Sequence, residues 1–167
     1  MYNMLSLMVL CLLGATSLSD AGYSYSPAVG RGEGTAYATE GEGRITAVRV
    51  WETYNGYITG FQLRYNYAWT PVYGREYGTE NEMELFEGET IVQVWGKYHS
   101  GNYIYQIGFG TNRGRSLIVG QPTGYSFNFY PAYSRSELLK LSGRYNGNGL
   151  TSIAALWGQV NVTASYK

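Results

Sequence analysis

Apolar and polar residues alternate along much of the chain with the period of two that is typical of half-buried β-strands. The alternation is clearest in residues 57–67, where Phe61 and Leu63 are flanked by polar side chains. It returns in residues 103–109 and 125–129, and turns containing Gly, Pro or Asn separate these segments. Short strands with regularly spaced turns predict an all-β barrel, sandwich or prism.

The other predicted strands are shorter or less regular. They cover residues 45–51, 83–86, 90–97, 117–119, 137–141 and 150–157. Residues 68–81 contain Pro71, Gly74 and Gly78 and are predicted to be a turn or loop. A helical period occurs only in residues 134–141, and that segment is short.

Three segments of the chain resemble one another. They begin at Val48, Val92 and Leu139, which are 44 and 47 residues apart, and each runs into a loop containing Tyr and Gly. A period in this range indicates a structural repeat of several strands. Three copies predict a closed object with approximate threefold symmetry, whose equivalent loops gather at one end. Propellers have a similar period but typically need four or more blades.

The loop of the third copy, residues 145–149, has the sequence Tyr-Asn-Gly-Asn-Gly. Asn and Gly tolerate positive φ, so the loop can fold tightly and point backbone N–H groups outward. Exposed amides beside Asn and Tyr suit a hydroxyl-rich ligand. The alternative, a hairpin turn that only joins two strands, is common for a single Asn-Gly turn, but here the pattern occurs three times.

The composition narrows the function classes. The formal net charge is zero, so we expect no nucleic-acid or anionic-membrane partner recruited by bulk electrostatics. The chain has 18 Tyr, 5 Phe and 4 Trp. Tyr combines a flat apolar face with a hydroxyl, which suits sugar stacking, although strands also favour Tyr for packing reasons.

Residues 1–21 are predicted to be a secretory signal peptide. An apolar run at 4–13 is followed by small residues, and the cut is expected after Ser19 or Ala21. The run is too short to span a bilayer, so the protein is predicted to be secreted, without an integral membrane span. The only cysteine, Cys11, lies in this segment, so the mature chain has no disulfide or thiolate metal site.

The rest of the chain is predicted to form one domain. Residues 22–29 are interpreted as a flexible leader, 30–160 as the domain and 161–167 as a C-terminal tail. Asn161 begins an Asn-Val-Thr sequon, a candidate glycosylation site in a secreted tail.

Catalytic chemistry has few residues to use. His99 is the only histidine and lies in a loop, and Asp20, the only aspartate, lies at the signal boundary. No Gly-x-Ser-x-Gly nucleophile elbow is present. Glycosidases use a pair of carboxylates, and Glu82 and Glu84 share one strand face. Their pattern is that of a solvated strand edge. We therefore predict no enzyme activity, no cofactor and no metal.

A series of motifs in fixed order carries a resemblance to a known family. They are Gly32 and Gly34 with residues 44–50, 60–65, 88–94, 96–98, 111–115 and 141–144. Their order and spacing resemble the jacalin-related lectins, specifically the secreted animal branch typified by the zymogen granule membrane lectins. The resemblance runs from about residue 30 to 157, nearly the whole mature chain.

The resemblance implies an all-β β-prism of three Greek-key sheets with pseudo-threefold symmetry; a β-trefoil is the alternative. It also implies a sugar site between the N-terminal glycine loop and the third-repeat loop, with contacts from a second-repeat loop. The carbohydrate-binding residues implied here are Gly32, Gly34, Thr35, His99, Asn102, Tyr103, Tyr145, Asn146, Gly147, Asn148, Gly149, Leu150 and Thr151.

One position departs from the family pattern. The family's Gly-x-x-x-Asp motif corresponds to residues 147–151, which place Thr151 where the family has Asp. A carboxylate accepts two charge-assisted hydrogen bonds from sugar hydroxyls, worth about 1.5–3 kcal/mol each, whereas a threonine hydroxyl makes one neutral bond in that role. We expect mannose binding in the family's usual mode to be weaker by about one or two orders of magnitude, or absent.

Two hypotheses follow for the function. The first is a secreted, non-catalytic lectin that recognises sugar hydroxyls mainly through backbone amides of Gly-rich loops. Its partners would be glycans or glycoproteins of host mucus, granules or microbial surfaces, reached through secretory granules. The second is a secreted structural or protein-interaction protein on a lectin scaffold that has lost mannose binding, since Tyr also favours protein interfaces.

Overall fold

The computed structural model describes residues 22–160, and these residues form 13 β-strands. The strands are β1 (Ser24–Gly30), β2 (Thr35–Ala38), β3 (Ile45–Glu52), β4 (Ile58–Tyr65), β5 (Ala68–Trp69), β6 (Tyr73–Gly74), β7 (Thr79–Glu84), β8 (Ile91–Tyr98), β9 (Ile104–Thr111), β10 (Ser116–Gly120), β11 (Tyr125–Phe129), β12 (Glu137–Tyr145) and β13 (Leu150–Gly158). In this part of the chain no helix is long and apolar enough to cross a membrane. The predicted signal peptide, the tail and the Asn161 sequon lie outside the described residues.

The strands form three antiparallel sheets, each built on one long hairpin. Sheet 1 has the order β5-β4-β3-β7, with β6 also paired to β4. Sheet 2 has the order β10-β9-β8-β11, and sheet 3 has the order β1-β13-β12-β2. In every sheet the central hairpin is flanked on both sides, in sheet 1 by the two short strands β5 and β6 on the β4 side. This is the repeated unit predicted from the sequence.

The core lies where the inner faces of the three sheets meet. The alternation read from the sequence selects this face: Phe61 and Leu63 of β4 are fully buried, while Gln62 and Arg64 between them are half-buried. Sheet 2 contributes Phe109 in the same way. Burial of such large apolar side chains contributes roughly 1.5–3 kcal/mol each, so this packing holds the three sheets together.

The interpretation of residues 22–29 as a flexible leader is wrong for most of that segment. Residues 24–30 form β1, which pairs with β13, and the register shifts between Ser26 and Val29. Pro27 lies in that bulge, where a missing N–H is tolerated. The Ser26 hydroxyl accepts a 2.9 Å hydrogen bond from Trp157 Nε1. The bulge disrupts the alternation of apolar and polar residues, so the strand has no recognisable pattern in the sequence.

The helical period of residues 134–141 also has a different origin. Residues 137–145 form β12, whose register against β13 shifts between Leu138 and Lys140. The bulge brings Leu138 and Leu141 to the buried side although they are three residues apart, which imitates a helix. Similarly, the predicted loop at 68–81 contains the two-residue strands β5 and β6 and the start of β7.

The spacing of the three copies in the structure differs from the spacing of 44 and 47 residues predicted from the sequence. The first strand of each hairpin ends at residues 52, 98 and 145, so the copies are 46 and 47 residues apart. The first copy was therefore aligned two residues out of register. Arg49, rather than Trp51, is equivalent to Trp95, because each lies three residues before the last residue of its strand.

A pair of glycines marks each copy. The pairs are Gly30 and Gly34, Gly74 and Gly78, and Gly120 and Gly124, all with φ between 94° and 114°. Each pair encloses a loop between two strands of one sheet; we call these the glycine loops of sheet 3 (31–34), sheet 1 (75–78) and sheet 2 (121–124). The Gly-x-x-x-Gly pattern is present in the sequence and marks the repeat more sharply than the similarity of the segments at Val48, Val92 and Leu139.

Candidate carbohydrate-binding site

The hairpin loops of the three sheets meet at one end of the molecule, as the repeat predicted. The rings of Tyr57 in loop 53–57 and Tyr103 in loop 99–103 stack with centroids 4.1 Å apart and an angle of 15°. The amide nitrogens of Asn146 and Asn148 each lie 3.4 Å from the Tyr103 hydroxyl. The two contacts to the Tyr103 hydroxyl are long and therefore weak hydrogen bonds. The stacked rings of Tyr57 and Tyr103 are the closer contact, and they join the hairpin loops of sheets 1 and 2.

The third hairpin loop is tight and is organised by Asn146. Its Oδ1 accepts hydrogen bonds from the backbone N–H groups of Asn148 (2.9 Å) and Gly149 (3.2 Å). The Asn146 N–H in turn donates to the Gly149 carbonyl at 3.0 Å. The prediction of outward-pointing amides is therefore wrong for Asn148 and Gly149, because a side-chain oxygen already uses both donors.

The glycine loop of sheet 3 is fixed against the third hairpin by three hydrogen bonds. The Arg31 N–H donates to the Thr151 carbonyl at 2.7 Å. A guanidinium nitrogen of Arg144 donates to the Gly34 carbonyl at 2.8 Å. The Thr151 hydroxyl donates to the Glu33 carbonyl at 2.7 Å. The N-terminal loop and the third-repeat loop thus lie side by side, as the family resemblance implied.

Gly34 is required at its position. Its φ is +114°, a conformation that L side chains rarely adopt, and an added Cβ would collide with the Tyr145 carbonyl oxygen. Gly32 and Gly147 differ, since a Cβ at either position would meet no heavy atom within 4 Å. A side chain at either position would therefore enter open space.

Thr151 is buried, with 1% of its surface exposed. Its hydroxyl bond to Glu33 has a counterpart in sheet 1, where Thr59 Oγ1 donates to the Tyr77 carbonyl at 2.6 Å. Thr59 and Thr151 are each the second residue of the returning hairpin strand. In both sheets, therefore, threonine at this position holds the glycine loop in place.

The predicted site residues are distributed over three levels of exposure. The exposed ones are Gly32, Gly34, Thr35, His99, Gly147 and Asn148; the half-buried ones are Asn102, Tyr103, Tyr145 and Asn146; the buried ones are Gly149, Leu150 and Thr151. The second-repeat loop joins the site mainly through Tyr103. Asn102 donates to the Tyr105 hydroxyl at 3.0 Å, and His99 Nδ1 accepts from the Gly101 N–H at 3.2 Å.

Sequence reasoning missed two residues of this end. Tyr57 supports Tyr103, and burial, reinforced by Tyr103, raises the pKa of its hydroxyl. Arg144 holds the glycine loop through a backbone carbonyl. Tyr57 was hidden because the stacked rings come from different sheets and are 46 residues apart.

The buried carboxylates lie outside this site and are fully paired. Glu89 accepts hydrogen bonds from the Thr111 hydroxyl (2.6 Å), Arg115 (2.6 Å) and the Phe86 N–H (2.8 Å). Burial by itself would raise the pKa of Glu89, but these donors outweigh it and hold the pKa below its ordinary value. Glu137 accepts two bonds from the Arg44 guanidinium.

Comparison with known proteins agrees with this geometry. The jacalin-like lectin domain model matches residues 26–156. Zymogen granule membrane protein 16 of Rattus norvegicus is 35% identical over 161 residues, covering 92% of this chain and 94% of that protein. The chain belongs to the jacalin-like lectin domain family, and the family and fold place it among the carbohydrate-binding lectins.

Solved structures share the architecture. A prostate-specific WGA16 glycoprotein lectin superposes with a TM-score of 0.72 at 30% identity, covering 83% of this chain and 100% of that chain. A mannose-binding lectin from Champedak shows the same fold, with a TM-score of 0.67 at 19% identity and coverage of 83% and 98%. The prediction of an all-β β-prism is confirmed, and the β-trefoil alternative is not, since the three sheets close no barrel.

Proposed function

We propose that the protein is a secreted, non-catalytic lectin that binds a glycan between the glycine loop of sheet 3 and the third hairpin loop. The observation that carries the proposal is the open space at Gly32 and Gly147 on two loops that are otherwise fixed together. Two fixed loops with little side-chain bulk at these glycines let sugar hydroxyls approach the backbone closely.

The proposed contacts differ from those of a carboxylate-centred sugar site. Thr151 is buried and its hydroxyl proton is used by Glu33, so position 151 offers the ligand little. Asn148 is exposed and Tyr145 is half-buried in the same hairpin, so these residues supply an amide and part of an aromatic surface. Recognition then depends mainly on backbone groups of the loops, and mannose in the family's usual mode should bind weakly.

The proposal assigns no catalysis because of the pKa of Glu89 and the ion pairing of Glu82 and Glu84. A general acid at neutral pH needs a raised pKa, whereas the pKa of Glu89 is lowered. Glu82 and Glu84 are paired with Arg49 (2.7 Å) and Arg64 (2.6 Å) on the edge strand of sheet 1. These pairs support the interpretation of a solvated edge.

The proposed partners and location follow the relatives. The matched relative is named for the zymogen granule membrane, which supports secretion of this chain through granules. Its ligands would then be glycans or glycoproteins of host mucus, the granule or microbial surfaces. The C-terminal limit of the domain at residue 160 and the use of the Asn161 sequon remain predictions.

A protein-interaction role is the second candidate. Several tyrosines are exposed without forming part of the sugar site, including Tyr54 and Tyr67, which are 88% and 97% exposed. Tyr is enriched at protein interfaces. In this alternative the prism is kept and the loop junction binds no sugar.

The two candidates are separated by a glycan and polysaccharide array with the wild type and Gly147→Trp. Because the space at Gly147 is open, the indole should block the junction without disturbing the fold. Glu87→Trp, on an exposed turn outside the junction, is the matched control. We expect glycan signal for the wild type and Glu87→Trp and a loss of signal in Gly147→Trp. A silent wild type would favour the protein-interaction role, whereas equal signal in all three would place glycan binding outside these loops.

A further inference from the structure

A tryptophan lies on the outer, solvent-facing side of sheet 2, away from the loop junction. Trp95 of β8 pairs with Asn128 of β11 on one side and with Gly108 of β9 on the other. Gly108 pairs in turn with Ile118 of β10, which is 54% exposed. One row of paired residues across the sheet therefore carries the Asn128 amide, the Trp95 indole and, at its far end, the apolar Ile118 side chain.

Two glycines make room for the indole. A Cβ at Gly108 would collide with the Trp95 ring, and a Cβ at Gly110 would lie 3.1 Å from its Cζ3. The ring therefore lies along the sheet, and the backbone supports its inner face. Glycine in a strand weakens the strand and often marks a close approach of another group, so two glycines beneath an outer-face Trp indicate a built platform.

Polar side chains surround the ring. Gln93 Nε2 donates to Asn128 Oδ1 at 2.8 Å, and Lys97 Nζ donates to Ser126 Oγ at 2.8 Å. Together with Gln106 they line a cavity of about 320 Å³ over Trp95. That volume suits a small ligand group. Lys97 is the only charged residue in this lining, and no carboxylate is present in it.

The equivalent face of sheet 1 shows what a closed surface looks like. Arg49, the counterpart of Trp95, is paired with Glu82 at 2.7 Å and lies 4.2 Å from the Trp69 ring centroid. Arg64 lies 5.6 Å from the same centroid. In sheet 1 the guanidinium groups of Arg49 and Arg64 cover the Trp69 ring. In sheet 2 the Trp95 ring instead faces an open cavity that is lined mainly by uncharged polar side chains.

We propose that the Trp95 platform is a second carbohydrate site, which binds one pyranose ring of a neutral, gluco-configured glycan chain. Such a ring has equatorial hydroxyls and apolar C–H faces, so one face packs on the indole while its edge reaches the amides of Gln93 and Asn128. The dominance of neutral amides and a hydroxyl in the lining fits an uncharged ligand. This site goes beyond the proposed loop site and does not depend on it.

The test follows the indole N–H signals of the full secreted chain by NMR during titration with chitotetraose and cellotetraose. The four tryptophans are assigned by single substitution to Phe. We expect the Trp95 signal to shift at about 1 mM ligand, and Trp95→Ala to weaken binding at least about tenfold. Trp69→Ala on sheet 1 is the matched control and should bind like the wild type.

Several results would overturn the proposal. An unshifted Trp95 signal with both oligosaccharides, or equal affinity in Trp95→Ala and wild type, excludes the site. Self-association that Trp95→Ala removes would assign the face to contact between copies. Gly147→Trp should leave the Trp95 shift intact, so failure of the loop site is distinguishable from failure of this one.

Discussion

The glycine loops of sheet 3 and sheet 1 have the same backbone but different surfaces. Both end in a glycine with positive φ, Gly34 (+114°) and Gly78 (+97°). Both are held by a threonine hydroxyl on the preceding carbonyl, from Thr151 and Thr59. The shared features are those that fix the loop in the prism, and they therefore say little about a ligand.

The difference lies at the tips of the two loops. Sheet 3 has Gly32 where sheet 1 has Glu76, and the following residue is Glu33 in one and Tyr77 in the other. In sheet 1 the Arg75 guanidinium lies 4.1 Å from the Tyr77 ring centroid, so side chains cover that loop. The backbone of the glycine loop is therefore repeated between sheets, while a few side chains in each loop decide whether a ligand can reach that backbone.

The largest effect is expected from Gly34→Ala and Gly78→Ala. Each would force an L side chain into positive φ and drive its Cβ against a carbonyl oxygen, of Tyr145 and Glu52 respectively. We expect each to lower the free energy of unfolding by about 2–3 kcal/mol, measured by urea denaturation. Only Gly34→Ala should also abolish glycan binding at the loop site.

Gly32→Ala is the matched control for these variants, since its Cβ meets no heavy atom within 4 Å. It should fold like the wild type. Loss of glycan binding in Gly78→Ala at a temperature where it is folded would contradict the assignment of the ligand to the loop of sheet 3.

Thr151→Asp should be the next most destructive change. A buried carboxylate has no proton to donate to the Glu33 carbonyl and would face an acceptor. We expect the free energy of unfolding to fall by about 2 kcal/mol, and Thr59→Asp to behave alike. A mannose array belongs with the denaturation curve: a gain of mannose binding at unchanged stability would show that side chain 151 points to the ligand.

Thr151→Val and Thr59→Val remove only the hydroxyl at nearly constant volume. Each leaves one carbonyl without its donor, so we expect a loss of about 1 kcal/mol in both, read from thermal unfolding. Equal losses would support a common role in holding the loops. A large drop in glycan affinity in Thr151→Val alone, beyond the drop in stability, would refute it.

Tyr103→Phe should have the smallest effect. It removes only the two 3.4 Å contacts from Asn146 and Asn148 and keeps the ring stacked on Tyr57. We expect stability to change by less than about 0.5 kcal/mol, and glycan affinity to change little. Tyr103→Ala is the contrasting variant, because it removes the stack, and should loosen the second hairpin loop in hydrogen exchange.

The sequence alone determined the strands with an uninterrupted alternation, such as β4 and β9, and the threefold repeat of hairpins. These follow from local periodicity, since alternate residues of a strand face the core and must be apolar. It also determined the family, through the order of its motifs, and the unusual Thr151.

The tertiary structure alone decided the rest. The bulge at Pro27 hid β1 in the sequence. The spacing of 46 residues between the first two copies was also hidden, because side chains at equivalent positions differ, as Arg49 and Trp95 do. The role of Thr151 depends on a carbonyl 118 residues away. A one-dimensional pattern records which face of a strand is buried, but not which distant group that strand meets, because that partner is fixed only by the packing of the sheets.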